Sequence, residues 1–327
     1  MPTLANALAL QKRAVGIAKE VTKGTYAAPT FYLPIQTFTP VDVIDPLPVE
    51  YLAGNMAAQQ QFIQWVKSST VDVELDAYAD ALGWPIGGLL GDLTVTGAAA
   101  PYANAFSLLN SGQGQPTSHS VTDSYGATSP RAFTALQWTE VALKFTADGL
   151  VTCTAKAVAL GSTTESAPTA SYTSVLPLAA WNFIATINAV VTLAVTDVTV
   201  TITRKDDIIK GPNGTQSPLE LFVGTCDVKW DVTALADPSD EALLLYLNNT
   251  QPAMDMAATS GTGATEIGIQ VHSSSVAVTT AALTPKGEYL EVVMSGTANA
   301  TTTDAGASGG KSPVKVTLTS ATNGGYV

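Results

Sequence analysis

Apolar and polar residues alternate most cleanly from Thr70 to Asp76, where Val71, Val73 and Leu75 are interleaved with Asp72, Glu74 and Asp76. Successive strand residues point to opposite faces, so this pattern predicts a strand with one buried and one solvated face. A short helical segment follows, to Leu90. The design recurs from Thr225 to Leu245, where Val228 and Trp230 are interleaved with Asp227, Lys229 and Asp231. At a spacing of 155 residues six of the first twelve positions are identical: Thr70/Thr225, Asp72/Asp227, Val73/Val228, Asp76/Asp231, Ala79/Ala234 and Ala81/Ala236. Asp72, Val73, Asp76, Asp227, Val228 and Asp231 are therefore taken as the strand residues that define a repeat. At the same spacing Asp42-Val43 falls on Asp197-Val198, Gln61 on Gln216, Tyr26 on Trp181 and Leu89 on Leu244. The hairpin pattern of Phe145–Val158 recurs at Leu283–Gly296, with Gly149 and Gly287 138 apart.

The expectation is a duplicated, mainly β unit of ordinary domain size. The first copy spans 1–174, with an N-terminal segment at 1–13, either a short helix or an extended arm, and a linker at about 161–174. The second spans 175–327. Strands are predicted at Val15–Val21, Phe31–Ile44, Phe62–Leu75, Val195–Thr203, Leu219–Val223 and Val314–Thr319. Pro34 and Pro40 mark an edge or a bend in the second of these. Phe133–Phe145 and Leu150–Ala159 form a hairpin closed by Ala147-Asp148-Gly149. Gly97–Pro130, which contains His119, reads as a polar loop.

The second helix is written with Asp237 as N-cap, Pro238 at its first position and Asp240 and Glu241 near its positive end. Leu243, Leu244 and Leu247 are its apolar stripe and Asn248-Asn249 its end. In the first helix Gly83, Pro85, Gly87 and Gly88 leave one or two turns. Two excursions, Asp45–Gln61 and Lys205–Pro218, occupy matching places and read as long loops or hairpin arms. Segments of that length are uncommon unless functional.

Composition narrows the function classes. The chain is 46% hydrophobic but only 13% charged, and rich in small and β-branched residues, which suits short strands with much surface covered by other subunits. The net charge of −12 and the want of a basic face argue against a DNA-binding groove; Lys12-Arg13 and Arg204-Lys205 are the only adjacent basic pairs. Cys153 and Cys226 are expected as free buried thiols. The first residues lack a basic stretch before an apolar run, and no run is long enough for a membrane span, so a soluble, unexported protein is expected.

Candidate chemistry is sparse. His119 and His272 have no Cys or His at ligand spacing and are expected on exposed or strand-face positions. Gly306–Ser312 ends in Gly-Lys-Ser, but Ala305 stands where a phosphate loop needs glycine, and a strand follows. Asp72/Glu74/Asp76 and Asp206/Asp207 are grouped carboxylates; the first three alternate on a solvated strand face, which needs no special function. Asn213, Asn248 and Asn299 match the glycosylation pattern only by chance. No catalytic residue, cofactor or metal is expected.

A strand running into a short helix near Leu89-Leu90, an early long loop and a late hairpin resemble the tail tube (major tail) proteins of long-tailed bacteriophages. The stretch from Pro116 to Gly161 is similar in its TD-x-YG turn (Thr122–Gly126), aromatic-containing strand and following hairpin. Asp304–Ala321 is similar as well. The resemblance implies two tandem tube-type β-sandwich or barrel domains, each flanked by a short helix. It implies a structural virion protein, not an enzyme, synthesised in the host cytoplasm. Inner sheets would join into rings, here trimers of double-domain chains, and the rings would stack into a channel for DNA. Implied partners are further copies, a tape-measure protein inside the lumen, and terminator and distal tail or baseplate proteins at the ends; DNA passes without specific binding. By position in that pattern, Glu50, Tyr51, Leu52, Asn55, Met56, Asp206, Asp207, Ile208, Ile209 and Lys210 would contact the next ring, and part of the acidic surplus would line the lumen. The alternatives are a decoration or baseplate component, a two-domain adhesion module, or a carbohydrate-active enzyme.

Overall fold

β-branched runs form most of the strands in the computed structural model, which describes residues 10–51, 56, 61–126, 130–166, 168–191, 195–236 and 241–327. In chain order the first strands are β1 (Ala14–Lys19), β2 (Phe31–Leu33), β3 (Ile35–Val49) and β4 (Gln61–Asp76). Helix α1 (Gly83–Leu90) precedes β5 (Gly91–Thr96), β6 (Tyr102–Leu108), β7 (His119–Ser124), β8 (Arg131–Thr146), β9 (Thr152–Leu160) and β10 (Thr163–Thr164). Then come β11 (Phe183–Ile187), β12 (Val190–Val191), β13 (Val195–Ile209), β14 (Glu220–Leu235), helix α2 (Glu241–Leu247), β15 (Met254–Ser260), β16 (Ile267–Ser273), β17 (Val276–Lys286), β18 (Tyr289–Ala298) and β19 (Lys315–Ser320).

The fold is mainly β, built of two antiparallel sheets. One contains an eight-strand path, β3-β4-β9-β8-β13-β14-β18-β17. The N-terminal part of β8 leaves this path to pair with β7 and β10, and β7 continues into β1 and β2. The other sheet runs β12-β11-β15-β16-β19-β6-β5. Its strand β19, near the C-terminus, joins β16 on one side to β6 on the other. A single core cluster therefore holds Val73 and Leu143 together with Trp230 and Leu318. The boundary expected near 174 falls between β10 and β11.

The eight-strand path repeats its own register. β3 and β4 slip at Ile35/Thr37 and Ile44/Pro46; β13 and β14 slip at Val195/Asp197 and Arg204/Asp206, 160 residues later. On the partner strands Leu75 corresponds to Ala234 and Gln64 to Val223, 159 apart. The hairpin β8–β9 slips between Trp138 and Glu140, and β17–β18 between Val278 and Thr280, 140 apart. The rung of Asp72 in β4 is thus matched in β14 by Asp231, not by Asp227. The identities at a spacing of 155 lie four residues out of step with the ladders. An even slip keeps the buried and solvated faces aligned, so alternation alone could not reveal it. By the same slips Asp42 of β3 aligns with Ile202 of β13, five residues from Asp197: Asp42 stands opposite Ser69 and Asp197 opposite Thr233.

Other expectations are corrected locally. Gly97–Pro130 contains β6 and β7 rather than one loop. Every residue of α1 is buried, and its glycines allow close approach: a Cβ on Gly88 would lie 2.3 Å from the Trp138 ring and 2.6 Å from that of His119. Gly91, at φ 85°, ends the helix and donates its N–H to the Gly87 carbonyl. In α2 the residue packed on the core is Leu245, while Leu244 and Leu247 are exposed. Asn249, at φ 51°, lies just past its end. The cap residues Asp237, Pro238 and Asp240 lie outside the described residues.

Candidate functional site

The polar face of the eight-strand path carries charge in an ordered array. Directly opposed residues of antiparallel strands share a face. One rung reads Thr39, Asp72, Lys156, Glu140, Thr203, Asp227 across β3, β4, β9, β8, β13 and β14. Lysines on this face meet acids: Lys156 Nζ lies 2.9 Å from Glu140, Lys144 3.6 Å from Asp197 and Lys229 2.9 Å from Asp231. Asp72, Glu74, Asp76 and Asp227 form no ion pair among the described residues, so the face is net negative. Neutral donors steady two of them: Gln36 Nε2 donates to Asp76 at 2.7 Å and Thr37 Oγ1 to Glu74 at 3.2 Å.

The two excursions are hairpin arms. β3 and β4 stay paired out to Val49 and Gln61, and β13 and β14 out to Ile209 and Glu220. Asp206, Asp207, Ile208 and Ile209 thus lie within a strand, opposite Val223, Phe222, Leu221 and Glu220. Glu50, Tyr51 and Met56 are exposed at the first arm's tip; Leu52 and Asn55 lie outside the described residues. The arms are tied to each other. Lys210 Nζ pairs with the Asp45 carboxylate, the Lys67 N–H donates to the Gln216 carbonyl at 2.7 Å, and Gln216 Nε2 donates to the Gln64 carbonyl at 3.1 Å. Along them Phe62 (61% exposed), Ile63 (60%) and Trp65 (42%) form an apolar run open to solvent, with Leu47, Leu219 and Phe222 also exposed. An exposed apolar patch of this kind marks an interaction surface.

Arg13, Arg204, His119 and His272 have structural partners. Arg13 forks onto Asp123 through two bonds of 2.8 Å. Arg204 is buried and caps carbonyls: Nε donates to Gly224 at 3.0 Å, Nη1 to Leu89 at 3.1 Å and Nη2 to Gly114 at 3.0 Å. Burial lowers its pKa. His119 is buried in β7, not in an exposed loop. Its Nε2 lies 2.9 Å from the Tyr326 carbonyl and its ring edge-on to Trp84, and burial pushes its pKa down to about 4. His272, on β16, lies with Nδ1 2.8 Å from Asp304, which raises its pKa. Cys153 is buried and Cys226 half-buried; both are free, and burial pushes each thiol up to about 12. Among the described residues no group of His, Cys, Asp and Glu could hold a metal, and no helix is long and apolar enough to cross a membrane.

Sequence reasoning missed the open edges of the eight-strand path. β3 has a neighbour only in β4, and β17 only in β18, among the described residues. The internal seam between β8 and β13 was equally hidden, because pairing between distant strands leaves no local pattern.

A comparison with curated proteins found no match. The profile of a family described as phage tail tube protein matches residues 11–320, all but the ends of the chain. The chain therefore belongs to the phage tail tube protein family, a structural component of the virion tail.

Proposed function

We propose that the chain carries two copies of one tube unit and that three chains close into a ring with sixfold pseudosymmetry. Stacked rings form the tube through which DNA leaves the particle. The observation that carries this reading is the order β3-β4-β9-β8 followed by β13-β14-β18-β17, with the same register slips in each set. One chain already joins two such sets edge to edge, through β8 and β13. A third and further sets added in the same way would curve into a closed wall and remove the open edges.

In such a ring the acidic face lines the channel. Like charges repel, so DNA slides past without being held. The paired arms, with Glu50, Tyr51, Met56 and the 206–210 stretch, reach the next ring, a heterologous contact that repeats without limit. A tape-measure protein would fill the lumen before DNA does, and terminator and distal tail proteins would close the ends. The chain would be made in the host cytoplasm and function in the virion.

End-on class averages of assembled tubes test the reading. Three chains per ring with six similar lobes are expected. Six chains per ring, each with an added outer lobe, would overturn the duplication.

A further inference from the structure

Given the ring reading, the internal seam between β8 and β13 specifies the seam between chains. We infer that β17 of one copy pairs antiparallel with β3 of the next, with Thr284 opposite Thr39 and Leu283 opposite Pro40.

The register follows from the repeated ladders. β17 matches β8 at a spacing of 140, and β3 matches β13 at 160. Within the chain Leu143 stands opposite Val200 and Lys144 opposite Thr199. Carried over, those rungs become Leu283 with Pro40 and Thr284 with Thr39. The occupant is a second copy of this chain, since only it presents the matching strand.

Three observations agree with this pairing. First, the prolines mark both strands as edges of the single chain, at the loss of two donors to the seam. The Ala147 N–H donates to the Thr196 carbonyl, and alternation then makes Phe145/Val198 and Leu143/Val200 the hydrogen-bonded rungs of the internal seam. The matching residues on the open edges are Pro285 and Pro40. Each proline thus stands where its missing N–H would have pointed away from the chain's own sheet, as proline on an edge strand must.

Second, burial differs at matched positions. Leu143 is fully buried against the internal seam, whereas Leu283 is 42% exposed. Third, the helices complete the match. Arg204 of β13 reaches the Leu89 carbonyl in the last turn of α1. Ile44 of β3 occupies the rung of Arg204, and Leu247 in the last turn of α2 is exposed. The polar contact within the chain becomes an apolar one between chains.

The seam between chains is therefore the weaker of the two. It lacks two N–H donors that the internal seam has, and prolines on both edges discourage pairing with unrelated strands.

Cysteine pairs test the register. Thr39 and Thr284 would face each other on a rung without hydrogen bonds, where Cα atoms stand about 4.5 Å apart, within disulfide reach. Tubes of full-length T39C/T284C should give disulfide-linked chains on mild oxidation, and V41C/T284C, two residues out of register, should not. Tubes that form normally yet link only through the second pair, or through neither, would overturn the seam and leave the ring reading standing. If the variants do not assemble, wild-type tubes serve. Carbodiimide treatment should join Lys286 to Glu74 of the neighbouring copy. In a lone chain those residues sit on strands at or next to opposite ends of the path, some six to seven spacings or roughly 30 Å apart. Wild-type tubes without that cross-linked peptide would refute the seam. Wild-type chain that forms no ring with its tail partners would refute the ring reading itself.

Discussion

Lys210 and Asp45 sit on different hairpin arms, and their ion pair binds the arms together while Lys210 lies 5.7 Å from the centre of the Trp65 ring. Both partners are partly exposed, so the pair adds little stability, about 0.2–1 kcal/mol. Its importance would be in holding the apolar run of Phe62, Ile63 and Trp65 at a fixed angle to the next ring. Lys210→Ala should leave the melting temperature within a few degrees of wild type and shorten tubes in negative-stain images. Full-length tubes from K210A together with a Phe62→Ser/Ile63→Ser variant would show that the arms do not mediate stacking.

Core truncation should behave differently. Trp230 is fully buried, and its Nε1 donates to Ser273 Oγ at 3.0 Å, linking the two sheets. Trp230→Ala should cost about 3–5 kcal/mol, read as a lower midpoint in urea. A loss below about 1 kcal/mol would mean that the sheets are not packed through this residue.

The two histidines should give opposite pH responses. His119 is held neutral by burial, with its pKa depressed from 6.5 to about 4. As pH falls through that window the unfolded chain takes up the proton and the folded one does not, so stability falls. His119→Gln should flatten the acid side of a stability profile measured between pH 7 and 4. His272 is raised by Asp304, so its contribution is complete below the ordinary histidine value and fades as pH rises through the higher folded value. His272→Gln should therefore remove stability chiefly at low pH. Identical profiles for wild type and both variants would contradict these assignments.

Pro40 should act as a brake on association. Val200 is its counterpart on the closed internal seam, so Pro40→Val restores the missing donor without adding bulk foreign to the site. The variant should self-associate at lower concentration than wild type in light scattering. Unchanged association would mean that the proline does not limit edge pairing.

Charge on the polar sheet face should govern DNA transit. Tubes with Asp72→Lys and Asp76→Lys should retain DNA in a salt-dependent way, since each phosphate contact releases counterions. Retention by wild-type tubes, or none by the variant, would place this face outside the channel.

Alternation at Thr70–Asp76, the Ala147-Asp148-Gly149 turn and the shortage of charge determined a mainly β chain of antiparallel hairpins with two arms. Periodicity reports which face a residue takes, and that is a local property. The same evidence set the spacing at 155, because between β4 and β14 identities four residues out of step preserve the inside and outside positions. Only the ladders show matching register slips, at Ile35/Thr37 and Val195/Asp197, with spacings of 159 to 160. Tertiary structure also decided that His119 lies in the core, that β19 closes onto β6, and that β3 and β17 have one neighbour each among the described residues. Hydrogen bonds between strands distant in sequence settled those points, and no short stretch of sequence records its distant partner.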